Sequence, residues 1–482
     1  MKWTPLVTGL ALIAVAIPAA PASATGEATR AAGVTSTDAI DWRACGKEPG
    51  AECGTLAVPV DWAKPDGPQL SLNMTRRKAT GQRIGALFYN PGGPGTGAAD
   101  LVRDWAPYYF SEELRERFDI VGIDPRGVGG SEQIQCGKAV HDPAVTQFPE
   151  TRQEYDRLVA HNRAVGESCG PLIRHMDTGS VARDFDAVRA ALGEEQISYL
   201  GRSYGSMLGT EYARRFPGRV RAMALDGIVD HGMSSRQMVR DAATAVEDGF
   251  GRFAGWCERT QECVLHGRSV PQVWDALVRR AEERPIPVTG GRPLTADELR
   301  YVAYAMLTMA PDFNGGLARG IVQAEQGDAV LFGQMRAEAL DHPATTSAYR
   351  AVLCQDITPG INGFTQLRAR ARDVVRRAPH MRGTSEFWDM TTGCVGWPVP
   401  PSNPQRPVRI TQAPPVLLVG NTHDPATPLA WAKSLARGIK GAQVLTYDGD
   451  GHTSYLRNAC ATGSVDRYLI SGTLPVPGTV CR

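Results

Sequence analysis

The sequence lacks the features of several common protein classes. The chain has no large excess of positive or negative charge, because 52 Lys and Arg residues nearly balance 51 Asp and Glu residues and leave a formal net charge of +1. Such a balance gives no support for binding to nucleic acid or to an acidic membrane. No CxxC or HExxH spacing occurs, which disfavours zinc, and no internal repeat is apparent. We therefore expect an ordinary globular protein that needs neither a metal nor another cofactor.

The N-terminal region lacks a membrane span. Its apolar run, Leu6 to Ile17, follows Lys2 and is too short to cross a bilayer. A small-residue cleavage site ends at Ala24, which predicts a signal peptide over residues 1–24. No cysteine lies near that site, which argues against a lipid anchor. Residues 25–38 are expected to be a pro-segment or a disordered N-terminus. We therefore predict a secreted, extracellular protein.

Ten cysteines agree with export, because an even number in an exported chain favours disulfides over free thiols. The sequence alone does not establish how they are connected. Neighbours along the chain are the expected pairs: Cys45 with Cys53, Cys136 with Cys169, Cys257 with Cys263, Cys354 with Cys394, and Cys460 with Cys481.

Strand and helix patterns alternate along most of the chain, which predicts an α/β fold with a mainly parallel sheet. The alternation stops at about Asp230, after the sixth predicted strand, and resumes after about Pro407. We interpret residues 231–407 as a mostly helical cap inserted into a core made of residues 39–230 and 408–482. A separate, independent domain is the alternative.

The stretch from Gly201 to Gly205 matches G-x-S-x-G and lies between a strand pattern and a helix pattern. In that context the serine occupies a strained turn, and the small flanking residues allow strand and helix to approach each other. Ser203 is therefore the predicted nucleophile. Its position at a helix N-terminus favours developing negative charge.

A serine hydroxyl needs a histidine to take its proton and a carboxylate to orient that histidine. In G-x-S-x-G sheet enzymes the order along the chain is Ser, Asp, His. Asp424 follows the seventh predicted strand and His452 follows the eighth, so we predict them as acid and base. His423 is a rival base, and Asp226 is a more serious rival acid.

An oxyanion hole requires backbone N–H groups aimed at the developing charge. One is expected from Tyr204, the residue after the nucleophile. The other is expected from Gly93, in preference to Gly92, in the Gly-rich turn after the third strand. A phosphate-binding turn is a poor alternative, because no GK[ST] follows it.

Motifs along nearly the whole mature chain carry a family resemblance. The sequence resembles the secreted tripeptidyl aminopeptidases of actinomycetes, relatives of proline iminopeptidases within the α/β-hydrolase fold. The matching segments are Cys53 to Pro59, Asn90 to Gly95, Asp124 to Gly127, Gly201 to Gly205, Leu225 to Gly227, and the loops of Asp424 and His452. Proline iminopeptidases have histidine where this chain has Asn90, so their one-residue specificity is not implied.

The resemblance implies a secreted serine exopeptidase that releases short peptides, expected to be tripeptides, from free N-termini. A secreted serine esterase or amidase acting on small molecules is the alternative, because fold and triad do not fix the substrate. We expect a monomer.

An enzyme that counts residues from a free amine needs a carboxylate to bind that amine, since a buried ammonium must be paired. Asp356 in the cap is the preferred residue for this role, and Asp226 is the second choice.

Overall fold

The computed structural model describes residues 40–47 and 49–482. The predicted signal peptide and residues 25–38 lie outside the described residues. A ten-stranded sheet forms the centre. Its strands are β1 Arg43–Ala44, β2 Ala51–Pro59, β3 Gln69–Arg77, β4 Gly85–Asn90, β5 Phe118–Ile123, β6 Ile197–Arg202, β7 Val220–Asp226, β8 Val416–His423, β9 Gln443–Asp450 and β10 Val480–Cys481.

The strand order is β1-β2-β3-β5-β4-β6-β7-β8-β9-β10. Neighbouring strands from β5 to β10 pair in parallel, and β1, β2 and β3 add an antiparallel edge. The predicted mainly parallel sheet of an α/β fold is thus confirmed. Because the two-residue strand β1 comes first, the sixth predicted strand is β7.

The apolar runs form central strands because both of their faces are covered. All six residues of β4 are buried. Ala86 and Phe88 belong to one hydrophobic core, whereas Leu87 and Tyr89 belong to the core on the opposite face of the sheet. This alternation follows from the two-residue period of a strand. The sheet is therefore a rigid support for the loops at the C-terminal ends of its strands.

Helices cover the sheet on both sides. The helices outside the cap are α1 Ala99–Asp104, α2 Ala106–Tyr109, α3 Glu112–Arg117, α4 Arg152–Glu167, α5 Thr178–Ala191, α6 Tyr204–Arg215, α15 Leu429–Ala436 and α16 Ala459–Ser471, with short 3-10 helices at Pro171–His175 and Pro217–Arg219.

Eight further helices lie between β7 and β8 in the part of the chain that the structure describes, which confirms the mostly helical insertion. They are α7 Ser235–Arg259, α8 Val270–Glu283, α9 Ala296–Thr308, α10 Asn314–Glu325, α11 Val330–Ala339, α12 Pro343–Asp356, α13 Phe364–Arg377 and α14 Glu386–Gly393. Their apolar residues share one continuous core with the adjacent face of the sheet, as Trp274, Leu299 and Ile321 illustrate.

The segment that contains α4 was not predicted to contact the cap. Its Asn162 is buried, and the Asn162 Nδ2 donates to the carbonyls of Thr392 and Val395 at 2.9 and 2.8 Å. These bonds join α4 to the end of α14. The partner residues lie 230 or more positions away along the chain, so no local pattern indicates the contact.

The ten cysteines form the five predicted neighbour pairs, and two of these disulfides lie within the cap region. Cys354 at the end of α12 is joined to Cys394 just after α14. Among residues 40–47 and 49–482, no helix has the length and apolar character needed to cross a bilayer.

Candidate active site

Ser203 lies at the sharp turn between β6 and α6. Its backbone angles are φ 55° and ψ −123°, a left-handed conformation that is strained for a residue with a side chain. The turn also requires Gly201, because a Cβ there would lie 2.4 Å from the carbonyl oxygen of Gly205. The Ser203 N–H donates to the Asp226 carbonyl at 2.9 Å. The predicted strand, turn and helix around this serine are therefore present.

A second tight turn follows β4 and packs directly against Ser203. A Cβ on Gly92 would lie 2.8 Å from the Ser203 Cβ, so only glycine fits this position. The Asn90 Oδ1 accepts from the Gly92 N–H at 3.1 Å, which fixes the turn. Gly93, Ser203 and Tyr204 line one cavity. As the first residue of α6, Tyr204 has no acceptor for its N–H within the helix.

His452 and Asp424 meet at the ends of β9 and β8. The His452 Nδ1 lies 2.8 Å from one oxygen of the Asp424 carboxylate and 3.1 Å from the other. A carboxylate only accepts hydrogen bonds, so Nδ1 carries the proton. The His452 Nε2 is then an acceptor when the ring is neutral. It is buried, and no residue in the described ranges is its hydrogen-bond partner.

Three groups hold the Asp424 carboxylate in place. It accepts from the Ala426 and Thr427 N–H groups at 2.8 and 2.9 Å and from the Thr427 hydroxyl at 2.9 Å. Desolvation is the largest single influence and lowers the pKa of His452, but the adjacent Asp424 carboxylate, together with Glu386 and Asp226, raises it, so that the net pKa lies above 6.5. The aspartate therefore both orients the imidazole and stabilises its charged form.

Two observations place the His452 ring next to residues that surround Ser203. A Cβ on Gly227 would lie 2.8 Å from the His452 Cε1, so the ring packs against the residue that follows β7. Thr427, whose hydroxyl is 3.2 Å from the His452 Nδ1, lines the same cavity as Ser203. The backbone N–H of His452 also donates to the Thr308 carbonyl at 2.7 Å, and this bond connects the loop to the cap.

The two rival residues have other partners. Asp226 is fully buried, and one of its carboxylate oxygens accepts from the Ser454 and Tyr455 N–H groups at 2.8 Å each. It therefore supports the loop that follows His452 and makes no hydrogen bond to the imidazole. The His423 Nδ1 is 2.7 Å from the Asp248 carboxylate of α7, so this ring is hydrogen-bonded to the cap.

Asp356 does not line the Ser203 cavity, contrary to the expectation for an amine-binding residue. Its side chain is completely buried. It accepts from the Thr178 N–H and hydroxyl at 3.1 and 2.6 Å and from the Asn403 Nδ2 at 2.7 Å. Desolvation raises the pKa of this carboxyl well above its ordinary value. The Cys354 disulfide does anchor this end of α12, but the anchored carboxylate joins the cap to the core.

The cavity contains a carboxylate that the sequence did not single out. Glu386, at the start of α14, lines the cavity together with Gly93 and Ser203. The Tyr349 and Tyr304 hydroxyls donate to its two oxygens at 3.0 and 3.1 Å. Desolvation is the largest influence, and the pKa of Glu386 lies above its ordinary value. An acidic residue in a first helical turn is commonplace, so the sequence carries no signal for this position.

The rest of the cavity is mainly apolar and narrow. Its apolar lining comes from the core and the cap and includes Met207, Val229, Leu353, Ile357, Phe387 and Met390. The open volume is about 10 Å³, which is room for about one water molecule.

Comparison with known proteins agrees with this geometry. The profile of the alpha/beta hydrolase fold family matches residues 85–277, which include Ser203. The profile described as TAP-like protein matches residues 380–481, which include Asp424 and His452.

Similar proteins cover most of the chain. Serine protease Hip1 from Mycobacterium tuberculosis is 33% identical over 90% of this chain and 87% of that protein. Carboxylesterase B from the same species is 32% identical, over 89% of this chain and 86% of that protein. A tripeptidyl aminopeptidase from Streptomyces coelicolor is 31% identical, over 92% and 86%. The chain therefore belongs to the tripeptidyl aminopeptidase family and is a serine hydrolase with the α/β-hydrolase fold.

Proposed function

We propose that the protein is a secreted tripeptidyl aminopeptidase, which releases tripeptides from free N-termini through an acyl-enzyme on Ser203. The observation that carries this proposal is the Glu386 carboxylate in the same cavity as Ser203. The names of the Hip1 and Streptomyces relatives support a serine peptidase. The predicted signal peptide and the five disulfides support secretion.

In the proposed reaction the Ser203 Oγ attacks the carbonyl carbon of the peptide bond. His452 takes the hydroxyl proton on Nε2 and later donates it to the leaving amine. Asp424 holds the Nδ1 proton and stabilises the imidazolium that forms between these two steps. Water then attacks the acyl-enzyme, again with His452 as the base, and releases the peptide acid.

The negative oxygen of the tetrahedral intermediate is assigned to the N–H groups of Gly93 and Tyr204. Both residues line the cavity at Ser203, and Tyr204 begins α6, where the helix dipole adds a favourable field. The hydrogen bond from the Gly92 N–H to Asn90 preorganises the turn that presents Gly93.

Glu386 replaces Asp356 as the proposed partner of the substrate ammonium. A buried ammonium needs a carboxylate, and Glu386 has one in the cavity. Each of its oxygens already accepts one tyrosine hydroxyl, which fixes the carboxylate and leaves lone pairs for the ammonium. The Asp356 oxygens are directed instead at Thr178 and Asn403.

The raised pKa of His452 predicts the acid limb of the pH–rate profile. A histidine acts as general base only when it is neutral, so activity should rise as the pH passes the His452 pKa. We expect the acid limb of kcat/KM to lie above pH 6.5. An aryl ester is the substrate of choice, because it has no ammonium to pair with Glu386. A limb at or below the ordinary histidine value would contradict the assigned role of Asp424.

Replacing Glu386 by glutamine should weaken the binding of free amines selectively. The variant keeps the size and one acceptor oxygen but loses the charge that pairs with the ammonium. A charge-assisted contact is worth about 1.5–3 kcal/mol, so KM for a tripeptide anilide should rise about ten- to a hundredfold. Hydrolysis of an aryl ester at a pH above the His452 pKa should change little.

Glu247→Gln is a matched control, because this cap glutamate accepts from the His380 and Met381 N–H groups and does not line the cavity. Its kinetic constants should be close to those of the wild type for both substrates. If Glu386→Gln affected the anilide and the ester equally, Glu386 would not be the amine site.

Three substrates test the proposed function directly. They are an Ala-Ala-Pro anilide with a free amine, the same anilide with an acylated amine, and a simple aryl ester. The proposal predicts that kcat/KM is far higher for the anilide with a free amine than for the anilide with an acylated amine. Efficient hydrolysis of the ester alone would favour the alternative, an esterase or amidase, which the similarity to carboxylesterase B makes a specific competitor.

A further inference from the structure

A second cavity has a volume of about 300 Å³ and shares none of its described lining residues with the Ser203 cavity. It is enclosed by the segment that contains α4 and by parts of α8, α9, α12 and α14. Val145, Phe148 and Leu158 contribute apolar surface, and Arg350 and Thr384 contribute polar groups. A volume of this size is typical of the lower end of small-ligand sites. No role assigned above uses this cavity.

Two buried polar atoms of its lining have no hydrogen-bond partner among residues 40–47 and 49–482. They are the Nε of Arg350 and the hydroxyl oxygen of Thr384, whose residues are 3% and 5% exposed. An unpaired buried donor costs about 1–3 kcal/mol, so such groups are usually completed by water or by a ligand. A ligand with a hydrogen-bond acceptor would complete both groups.

The charged groups around these two atoms limit which charge the acceptor group of a ligand can carry. The Arg350 Nη2 lies 2.9 and 3.0 Å from the two oxygens of Asp389, so the guanidinium is already neutralised by a buried carboxylate. Asp297 and Glu298, which also line the cavity, are each paired with an arginine, and the described residues of the lining offer an anion no lysine and no arginine besides Arg350. A cationic group has no lone pair to offer the Arg350 N–H. The favoured group is an uncharged acceptor oxygen on an apolar stem.

Residues that line the two cavities are close to each other in sequence and in space. Thr384 lines the larger one and Glu386, two residues later, lines the smaller one, so their Cα atoms are at most about 7 Å apart. Tyr301 lines the larger cavity, and its ring centroid is 5.7 Å from that of Tyr304, whose hydroxyl donates to Glu386. The backbone of Glu386 thus lies within about 7 Å of a residue that lines the larger cavity.

We propose that the larger cavity is the subsite for the side chain of the substrate's first residue, and that it selects a long, uncharged side chain with an acceptor oxygen, such as glutamine. This inference rests on the proposed function, because Glu386 must fix the ammonium. The Ser203 cavity has only about 10 Å³ of open volume, so a bulky first side chain needs space elsewhere. The larger cavity supplies it.

A series of anilides X-Ala-Pro, with X as alanine, leucine, glutamine or glutamate, tests the subsite. In the wild type we expect kcat/KM to be highest for glutamine and lowest for glutamate. Thr384→Val removes the hydroxyl without changing the shape of the side chain. It should lower kcat/KM about two- to tenfold for the glutamine substrate, and leave the leucine and alanine substrates unchanged. Its thermal stability should not fall, because the hydroxyl has no partner.

Val145→Trp provides a second, steric test. Val145 is partly exposed and lines the cavity, so a larger ring there should fill the cavity without disturbing the central core. For the leucine and glutamine substrates kcat/KM should fall at least about tenfold, whereas for the alanine substrate it should stay unchanged.

Thr365→Val, at an exposed position of α13 outside the cavity, is the control for Thr384→Val.

The outcomes separate this inference from the proposed function. If the wild type cleaves free-amine anilides but neither variant changes the ranking of X, the subsite is wrong and the proposed function stands. If the wild type cleaves no free-amine anilide yet hydrolyses the aryl ester, the proposed function fails and the subsite fails with it. A glutamate substrate that is cleaved best would also overturn the proposed preference.

Discussion

Replacing Ser203 by alanine should lower kcat by roughly four or more orders of magnitude while the protein remains folded. The nucleophilic oxygen is lost, and neither His452 nor the oxyanion turn can substitute for it. The Ser203 side chain makes no capping hydrogen bond to α6, so its removal should cost little stability. Alanine also keeps the Cβ that already occupies this left-handed position, which means that no new backbone strain is added.

Ser206→Ala separates the loss of a nucleophile from damage to the same helix. The Ser206 hydroxyl donates to the Ser203 carbonyl at 2.6 Å and accepts from the Val229 N–H at 2.9 Å, but Ser206 does not line the cavity. This variant should lose thermal stability and keep most of its kcat. Activity in a clean Ser203→Ala preparation comparable to that of Ser206→Ala would show that Ser203 is not the nucleophile.

The second large effect is expected at Asp424. In Asp424→Asn the amide can donate where the carboxylate accepted, which favours the imidazole tautomer with its proton on Nε2. That nitrogen can then no longer receive the serine proton. A loss of about four orders of magnitude in kcat is the expected result, by analogy with the same change in serine protease triads. Steady-state kinetics with the aryl ester measure it independently of the amine site.

Asp226→Asn is the matched comparison, because Asp226 is also buried at the end of a strand. Its contacts are with the Ser454 and Tyr455 N–H groups, which an amide oxygen can still accept. We expect reduced thermal stability and a loss of kcat far smaller than that of Asp424→Asn. The reverse order of the two losses would assign the catalytic acid to β7.

Local patterns were sufficient to predict much of the fold and the main candidate residues. The turn at Ser203 depends on Gly201 and Gly205, which lie two residues before and after it in sequence. Asp424 and His452 could be selected because each follows an apolar strand, and parallel strands bring their C-terminal loops to one edge of the sheet. The disulfides were predictable because each joins cysteines that are neighbours along the chain.

The cap was far less predictable, because its functional geometry depends on contacts between distant helices. Glu386 is placed by Tyr304 and Tyr349, which belong to α9 and α12 and lie 82 and 37 residues away. Asp356 was chosen for its disulfide anchor, yet anchoring does not determine which way a carboxylate faces. Its partner Thr178 precedes it by 178 residues, so no local pattern indicates that bond.

Mass spectrometry of the products from an unmodified peptide tests the central proposal most directly. A short synthetic peptide with a free N-terminus is incubated with the wild-type protein, beside the same peptide with an acetylated N-terminus. We predict that the free peptide is shortened by three residues at a time, that the released tripeptide is detected, and that the acetylated peptide stays intact. Release of single residues or dipeptides, or internal cleavage of the acetylated peptide, would contradict the proposal.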